Sequence, residues 1–346
     1  MRIGLKRIGK NLPSPFPPFA PVKKPMLKSD HLKRLQPLIA LAVMAIVLTL
    51  LSDNFLTFAN QRNILLQISV NLCLSIGMTL VILTGGIDLS VGAILAFAGA
   101  FAAGLLKNGL ALKMFGVVLQ FTPFGAIVAG IIAGLVLGWF NGFVITRFKL
   151  PPFVATLGML SIARGMTMLW TGGFPITDLG PKFGFIGAGF FLGVPMAVWI
   201  SGALVVIFYI VSKRTLLGRY IYAVGGSEKA TTFSGINVNR VKIWVYALGG
   251  ALAAVAGLIV TARLDAADPK AGLGYELDSI AAVVIGGTSL SGGRGSILGT
   301  VLGCLIIGVL NNGLFLLDVS PFWQQVVKGF VILAAVAADK LGARRE

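Results

Sequence analysis

Long apolar runs, most of them about the length needed to cross a bilayer and parted by short polar stretches, dominate this chain of 346 residues. A hydrocarbon core about 30 Å thick takes roughly 20 helical residues to cross. Reading runs and breaks along the chain gives ten candidate spans: 36–52, 63–84, 88–106, 122–146, 151–170, 196–212, 241–262, 277–290, 296–314 and 321–339. The eighth is short for a full crossing and reads as broken or re-entrant. Only 12% of the residues are charged and 56% are hydrophobic, whereas a soluble domain carries about 25% charged residues. A soluble core cannot absorb that excess of apolar side chains, but a bilayer can. The 45 glycines agree, because glycine lets membrane helices approach closely. The expectation is an all-α, polytopic membrane protein in contact with lipid.

The formal net charge of +17 raises the question of nucleic acid. The basic residues argue against it, since they lie in short clusters between apolar runs. That is the pattern of positive loops on the inner side of a membrane. With the N-terminus inside and the spans alternating, the inner segments hold 21 Lys and Arg and the outer loops hold six: Arg62, Lys107, Lys113, Lys182, Arg263 and Lys270. Arg164 and Lys328 fall within spans. Removing one span would invert everything after it and spoil the bias, so ten spans with both termini inside is the expectation. Residues 1–35 are basic and proline-rich and read as a disordered cytoplasmic tail. The membrane domain then covers 36–340, and 341–346 form a short cytoplasmic C-terminus. No small-residue cleavage site follows the first apolar run, which reads as an uncleaved anchor.

Several chemistries are disfavoured. Cys73 and Cys304 each lie inside an apolar run, without CxxC spacing or nearby histidine, so neither a metal site nor a disulfide framework is expected. His31 lies in the basic tail. There is no GxxxxGK[ST] loop and no HExxH, so no metal or cofactor is expected, and any ATP consumed in transport is hydrolysed by another polypeptide. A weak internal repeat relates GGIDLSVG at 85–92 to GGTSLSGG at 286–293. In the same order, GWFNG at 138–142 echoes GVLNNG at 308–313. Two related halves with interrupted helices at corresponding places are a common transporter plan.

The candidate path or gate residues come from those twin motifs: Gly85, Gly86, Asp88 and Ser90 in the first, and Gly286, Gly287, Ser289 and Ser291 in the second. A carboxylate inside a membrane is costly and calls for a function. Asp88 or Ser90 either caps the helix that follows the Gly85–Gly86 break or lines the path. Ser289 stands opposite Asp88 in the repeat, and serine also caps. Lys328 either snorkels to an interface or pairs with a buried carboxylate, with snorkelling preferred. Arg164, near the middle of its span, faces protein or a cavity. The segment 213–242 is inner and basic. Within it SEKATTFSGI reads as a short helix, with Ser227 as N-cap and Gly235 closing it, suited either to docking a soluble partner or to plain connection. The outer loop 263–278 concentrates charge and reads as solvated or as a contact for an external partner.

The stretches NLCLSIGMTLVILTGGIDLSVGAILA, LGRYIYAVGG, SGINVNRVK, AGLGYELDSIAAVVIGGTSLSGGRGSILGT and NNGLFLL resemble the permease subunits of bacterial sugar ABC importers, those for ribose above all. The resemblance runs over about 36–339. It implies a type II importer in which two copies form the pore. Two ATP-hydrolysing subunits dock below and a periplasmic sugar-binding protein docks above. It also implies that the helix around Gly225, Glu228, Ala230, Ser234 and Gly235 couples to the ATPase, and that sugar moves by alternating access with no catalysis by this chain. The rival readings are an ion-coupled transporter using Asp88, an intramembrane enzyme and a membrane scaffold. An enzyme lacks the base and second acid that it would need beside Asp88.

Overall fold

The structure, a computed structural model, describes residues 27–112 and 116–343. Most of the expected N-terminal tail, Lys113 and the last three residues lie outside the described residues. The chain divides into two units, Met1–Gln36 and Pro37–Glu346. The described part of the first, residues 27–36, is helical.

The helices in chain order are α1 (Leu27–Leu51), α2 (Phe58–Leu83), α3 (Val91–Asn108), α4 (Pro123–Phe148), α5 (Pro152–Thr171), α6 (Pro181–Ala188), α7 (Met196–Arg214), α8 (Leu216–Gly226), α9 (Glu228–Phe233), α10 (Val238–Leu264), α11 (Tyr275–Ile285), α12 (Ile297–Leu316) and α13 (Pro321–Ala343). Six strands of two or three residues pair as ribbons: β1 (Leu110–Leu112) with β2 (Val117–Leu119), β3 (Ile176–Thr177) with β6 (Ala266–Ala267), and β4 (Phe190–Phe191) with β5 (Val194–Pro195). Side-chain oxygens mark helix starts: Thr57, Thr122, Thr215, Asn237 and Ser296 each accept from a backbone N–H three residues on, which satisfies one of the free donors of a first turn.

Among the described residues seven helices, α2, α3, α4, α5, α7, α10 and α12, are long and apolar enough to cross a membrane. A helix also coincides with each of the other three expected spans, but α11 has only 11 residues and is about 16 Å long. Two helices, α6 and α8, fall where the sequence was read as loop. Phe183 anchors α6 in the core and Ile221 and Val224 anchor α8.

The centre is α10 with α2 and α3, all largely buried, while α4, α5 and α7 leave most of their apolar surface outward. Ile132, Val136, Phe140, Leu157, Ile162 and Val206 are exposed, as expected where lipid replaces water as the solvent. Close packing in the centre comes from small residues. Gly130, Gly134, Gly138 and Gly142 repeat every fourth position of α4 and are buried against α10. A methyl on Gly134 would overlap the Gly250 carbonyl, and one on Gly138 the Tyr246 carbonyl, so these backbones touch. Polar pairs join other helices. Thr79 and Thr300 share a hydroxyl hydrogen bond of 2.6 Å. Asn60 and Asn312 exchange amide hydrogen bonds of 3.0 and 2.8 Å. Cys73 and Cys304 are buried free thiols.

Two membrane breaks and the inner helix

The first break follows α2. Gly85 has φ 77° and its N–H donates to the Ile82 carbonyl, while the Gly86 N–H donates back to Val81. This left-handed closure needs glycine. Residues 84–90 then run without helix to α3. Irregular backbone inside a membrane must be satisfied by protein, and side chains of α4 and α5 do this. Thr156 of α5 accepts from the Leu89 N–H at 3.2 Å and donates to the Ile87 carbonyl at 3.3 Å. Asn141 of α4 donates to Ser90 Oγ at 2.9 Å. Ser90 donates to Asp88 Oδ1 through its N–H at 2.8 Å and its hydroxyl at 2.6 Å.

Asp88 is fully buried, and its role is narrower than capping. It closes a turn onto Ser90 two residues on, and Ser90, at the N-cap position of α3, makes no side-chain capping bond. Asp88 Oδ2 and the Tyr246 hydroxyl have no hydrogen-bond partner among the described residues. The Tyr246 hydroxyl occupies the place a Cβ on Gly86 would take.

The second break precedes α11. Its chain leaves β6, where Ala267 pairs with Ile176 and Asp265 Oδ1 accepts from the Leu179 N–H. It then runs to Gly272, whose backbone touches that of Gly92 in the first turn of α3. The segment 263–278, read as an outer loop, is thus in good part a strap packed on the body of the protein, followed by the 11-residue α11. Arg164 of α5 holds this strap. Its Nη1 donates to the carbonyls of Pro269 at 2.6 Å and Ala271 at 2.9 Å. Lys328 is paired rather than snorkelling. Its Nζ lies 2.9 Å from Asp278 Oδ2 with both side chains largely covered, because α13 lies against α11. Asn311 of α12 donates to the same oxygen.

The twin motifs do not superpose as aligned. The left-handed glycine ending the helix is Gly85, the first of its pair, but Gly287, the second of its pair, with φ 85°. Gly286 packs on Gly299. Ser289 donates its N–H to the Arg294 carbonyl and accepts from the Gly292 N–H through its own carbonyl. Ser291 presents its carbonyl to Gly85.

The inner helix α9 spans Glu228–Phe233, with Ser227 accepting from the Ala230 N–H and Gly235 at φ 81°. Glu228 pairs with Lys242 of α10 at 2.8 Å, Ser234 Oγ donates to the Ala230 carbonyl, and Phe233 is 90% exposed. Gly225, in the last turn of α8, is half-buried and packs against Leu83 and Gly293. The sequence reading missed the pinning residues Asn141 and Thr156. Asparagine inside the apolar run of α4 was the available signal for the first. Among the described residues no cluster of three or more His, Cys, Asp or Glu side chains is placed to hold a metal.

A multi-pass helical protein with two breaks that touch through Gly92 and Gly272 and a short exposed helix has the build of a membrane transport protein. The chain belongs to the permease family described as branched-chain amino acid transport system / permease component, which matches residues 60–336. It is 50% identical over 311 residues to the ribose import permease protein of Bacillus subtilis (strain 168), covering 89% of this chain and 93% of that one. It is 49% identical over 306 residues to the ribose import permease protein of Escherichia coli (strain K12), covering 87% and 92%. It is 40% identical over 306 residues to the D-allose transport system permease protein of the same strain, covering 86% and 89%. No solved structure matches the chain.

Proposed function

We propose that this chain is the membrane-spanning subunit of an ATP-driven importer that carries a monosaccharide, ribose, inward across the bacterial inner membrane. The observation that carries this reading is the 50% identity to a ribose import permease over 93% of that protein's length. Its partners are a second copy of itself, an ATP-hydrolysing subunit below and a periplasmic sugar-binding protein above. All ten segments cross, the eighth as strap plus half-helix, and both termini are cytoplasmic. Two halves of related origin build the membrane domain.

Contacts within the structure support that topology. Segments expected outside meet one another: Lys107 donates to the Asp178 carbonyl, and β3 pairs with β6. Segments expected inside do likewise: Gly293 donates to the Leu83 carbonyl, and the Tyr222 hydroxyl donates to the Gly295 carbonyl at 2.9 Å. The exposed α9, with Phe233 projecting, is the docking element for the ATPase, Glu228 being held by Lys242. The second copy lies against the outward face of α5, where Gly158 and Gly165 have nothing within 4 Å and helix backbones can approach. The mid-depth contact of Gly92 with Gly272 is the closed point of the path in this state, with Asp88 beside it. An ion-coupled reading through Asp88 finds no support in relatives described as import or ABC transporter permeases.

The test is uptake of labelled ribose into vesicles holding this chain with its ATPase and binding protein, each omitted in turn. Uptake that needs all three and ATP is expected. Uptake by this chain alone on an ion gradient would overturn the reading, and ATP-driven uptake of another sugar would replace only ribose.

A further inference from the structure

Gly225 lies in the last turn of α8, two residues before the N-cap of α9, and three chain segments meet there. A methyl on Gly225 would overlap the carbonyl oxygen of Leu83, the last residue of α2, and the N–H of Gly293 in the loop from α11 to α12. Leu83 and Gly293 are themselves hydrogen-bonded at 3.0 Å. A Cβ on Gly292 would lie 3.0 Å from the Gly85 N and 3.2 Å from the Gly225 Cα, and one on Gly293 would lie 2.9 Å from the Gly226 N. Tyr222, one turn earlier in α8, hydrogen-bonds the Gly295 carbonyl of the same loop. The end of α8 is therefore wedged, backbone to backbone, between the inner ends of both interrupted elements. On one side α2 leads into the pinned segment 84–90 and on to Gly92. On the other, the loop follows α11, whose far end carries the strap to Gly272. Those two far ends touch through Gly92 and Gly272.

Such contacts transmit displacement without loss in a flexible side chain, since close-packed backbone shifts as a unit. We propose that Gly225 is the joint through which movement of the inner helix α9 reaches both membrane breaks at once, acting as a positioning residue between Leu83 and Gly293 rather than as a contact for the ATPase. This rests on the importer reading and specifies how that reading works.

The test uses the whole complex in vesicles, measuring uptake and ATP hydrolysis together. Gly225→Ala is expected to assemble and hydrolyse ATP while lowering sugar imported per ATP by about tenfold. Tyr222→Phe removes one tie without adding bulk and is expected to lower the same ratio by about threefold. Gly202→Ala on α7, where nothing lies within 4 Å, is expected to match the wild type. A Gly225→Ala complex that has lost its ATPase while Tyr222→Phe keeps a normal ratio would make Gly225 a docking residue and overturn the joint. Wild-type ratios in both variants would overturn it too. If Gly225→Ala fails to assemble, Tyr222→Phe decides alone. A wild-type complex that imports no sugar would overturn the importer reading and the joint with it.

Discussion

Asp88 shows how a membrane accommodates an acid without a basic partner. One oxygen takes both donors of Ser90, and Asn141 fixes Ser90 from the neighbouring helix, so part of the polarity is satisfied locally. Asparagine retains an acceptor at the same place. Asp88→Asn is therefore expected to keep the fold, whereas Asp88→Leu leaves the buried Ser90 N–H unsatisfied and costs about 1–3 kcal/mol. Thermal unfolding in detergent, compared between the two variants, checks this, and equal losses would show that the Ser90 bonds are unimportant. The residue itself was conspicuous as a carboxylate between apolar runs. Its partners Asn141 and Thr156 were not, because they lie 51 and 67 residues from the atoms they hold and nothing local announces such a pairing.

At the scale of elements, apolar length identified the crossing helices and polar spacing identified α9, yet two kinds of element escaped. The amphipathic α8 has apolar positions at Leu217, Ile221 and Val224, and the basic residues around it gave it the look of a loop. The strap before α11 looked like outer loop because it carries charge, and only Arg164 and Gly92 reveal that it packs on α5 and α3. Lys328 was misread for a related reason. A lysine stem long enough to snorkel is also long enough to reach Asp278, and the choice depends on α11 lying beside α13. Lys328→Ala strands a largely covered carboxylate and is expected to cost about 3 kcal/mol. Removing both partners in Lys328→Ala/Asp278→Ala is expected to recover part of that loss. A double-mutant cycle on thermal unfolding measures the coupling, and additive losses would show that the pair contributes nothing.

For the whole molecule, the proposed topology places the excess of Lys and Arg on the inner connections. A cysteine in place of Lys182 is expected to react with an impermeant maleimide added outside intact cells. One in place of Lys229, exposed on α9, is expected to react only after the membrane is opened. Reaction of both from one side would break the alternation. The fold buries its small-residue faces centrally and leaves most of the apolar surface of α4, α5 and α7 outward.

Composition and apolar run length determined by themselves that this chain is a multi-pass helical membrane protein and where its long apolar helices lie. These follow from solvation, since each residue meets the bilayer or water largely on its own terms. Tertiary structure alone decided which polar groups pair, what the irregular segments touch, and that the ends of α2 and α8 and the loop after α11 converge on glycine backbones. Those outcomes depend on distances between residues far apart in the chain, and a pattern read along one dimension does not contain them.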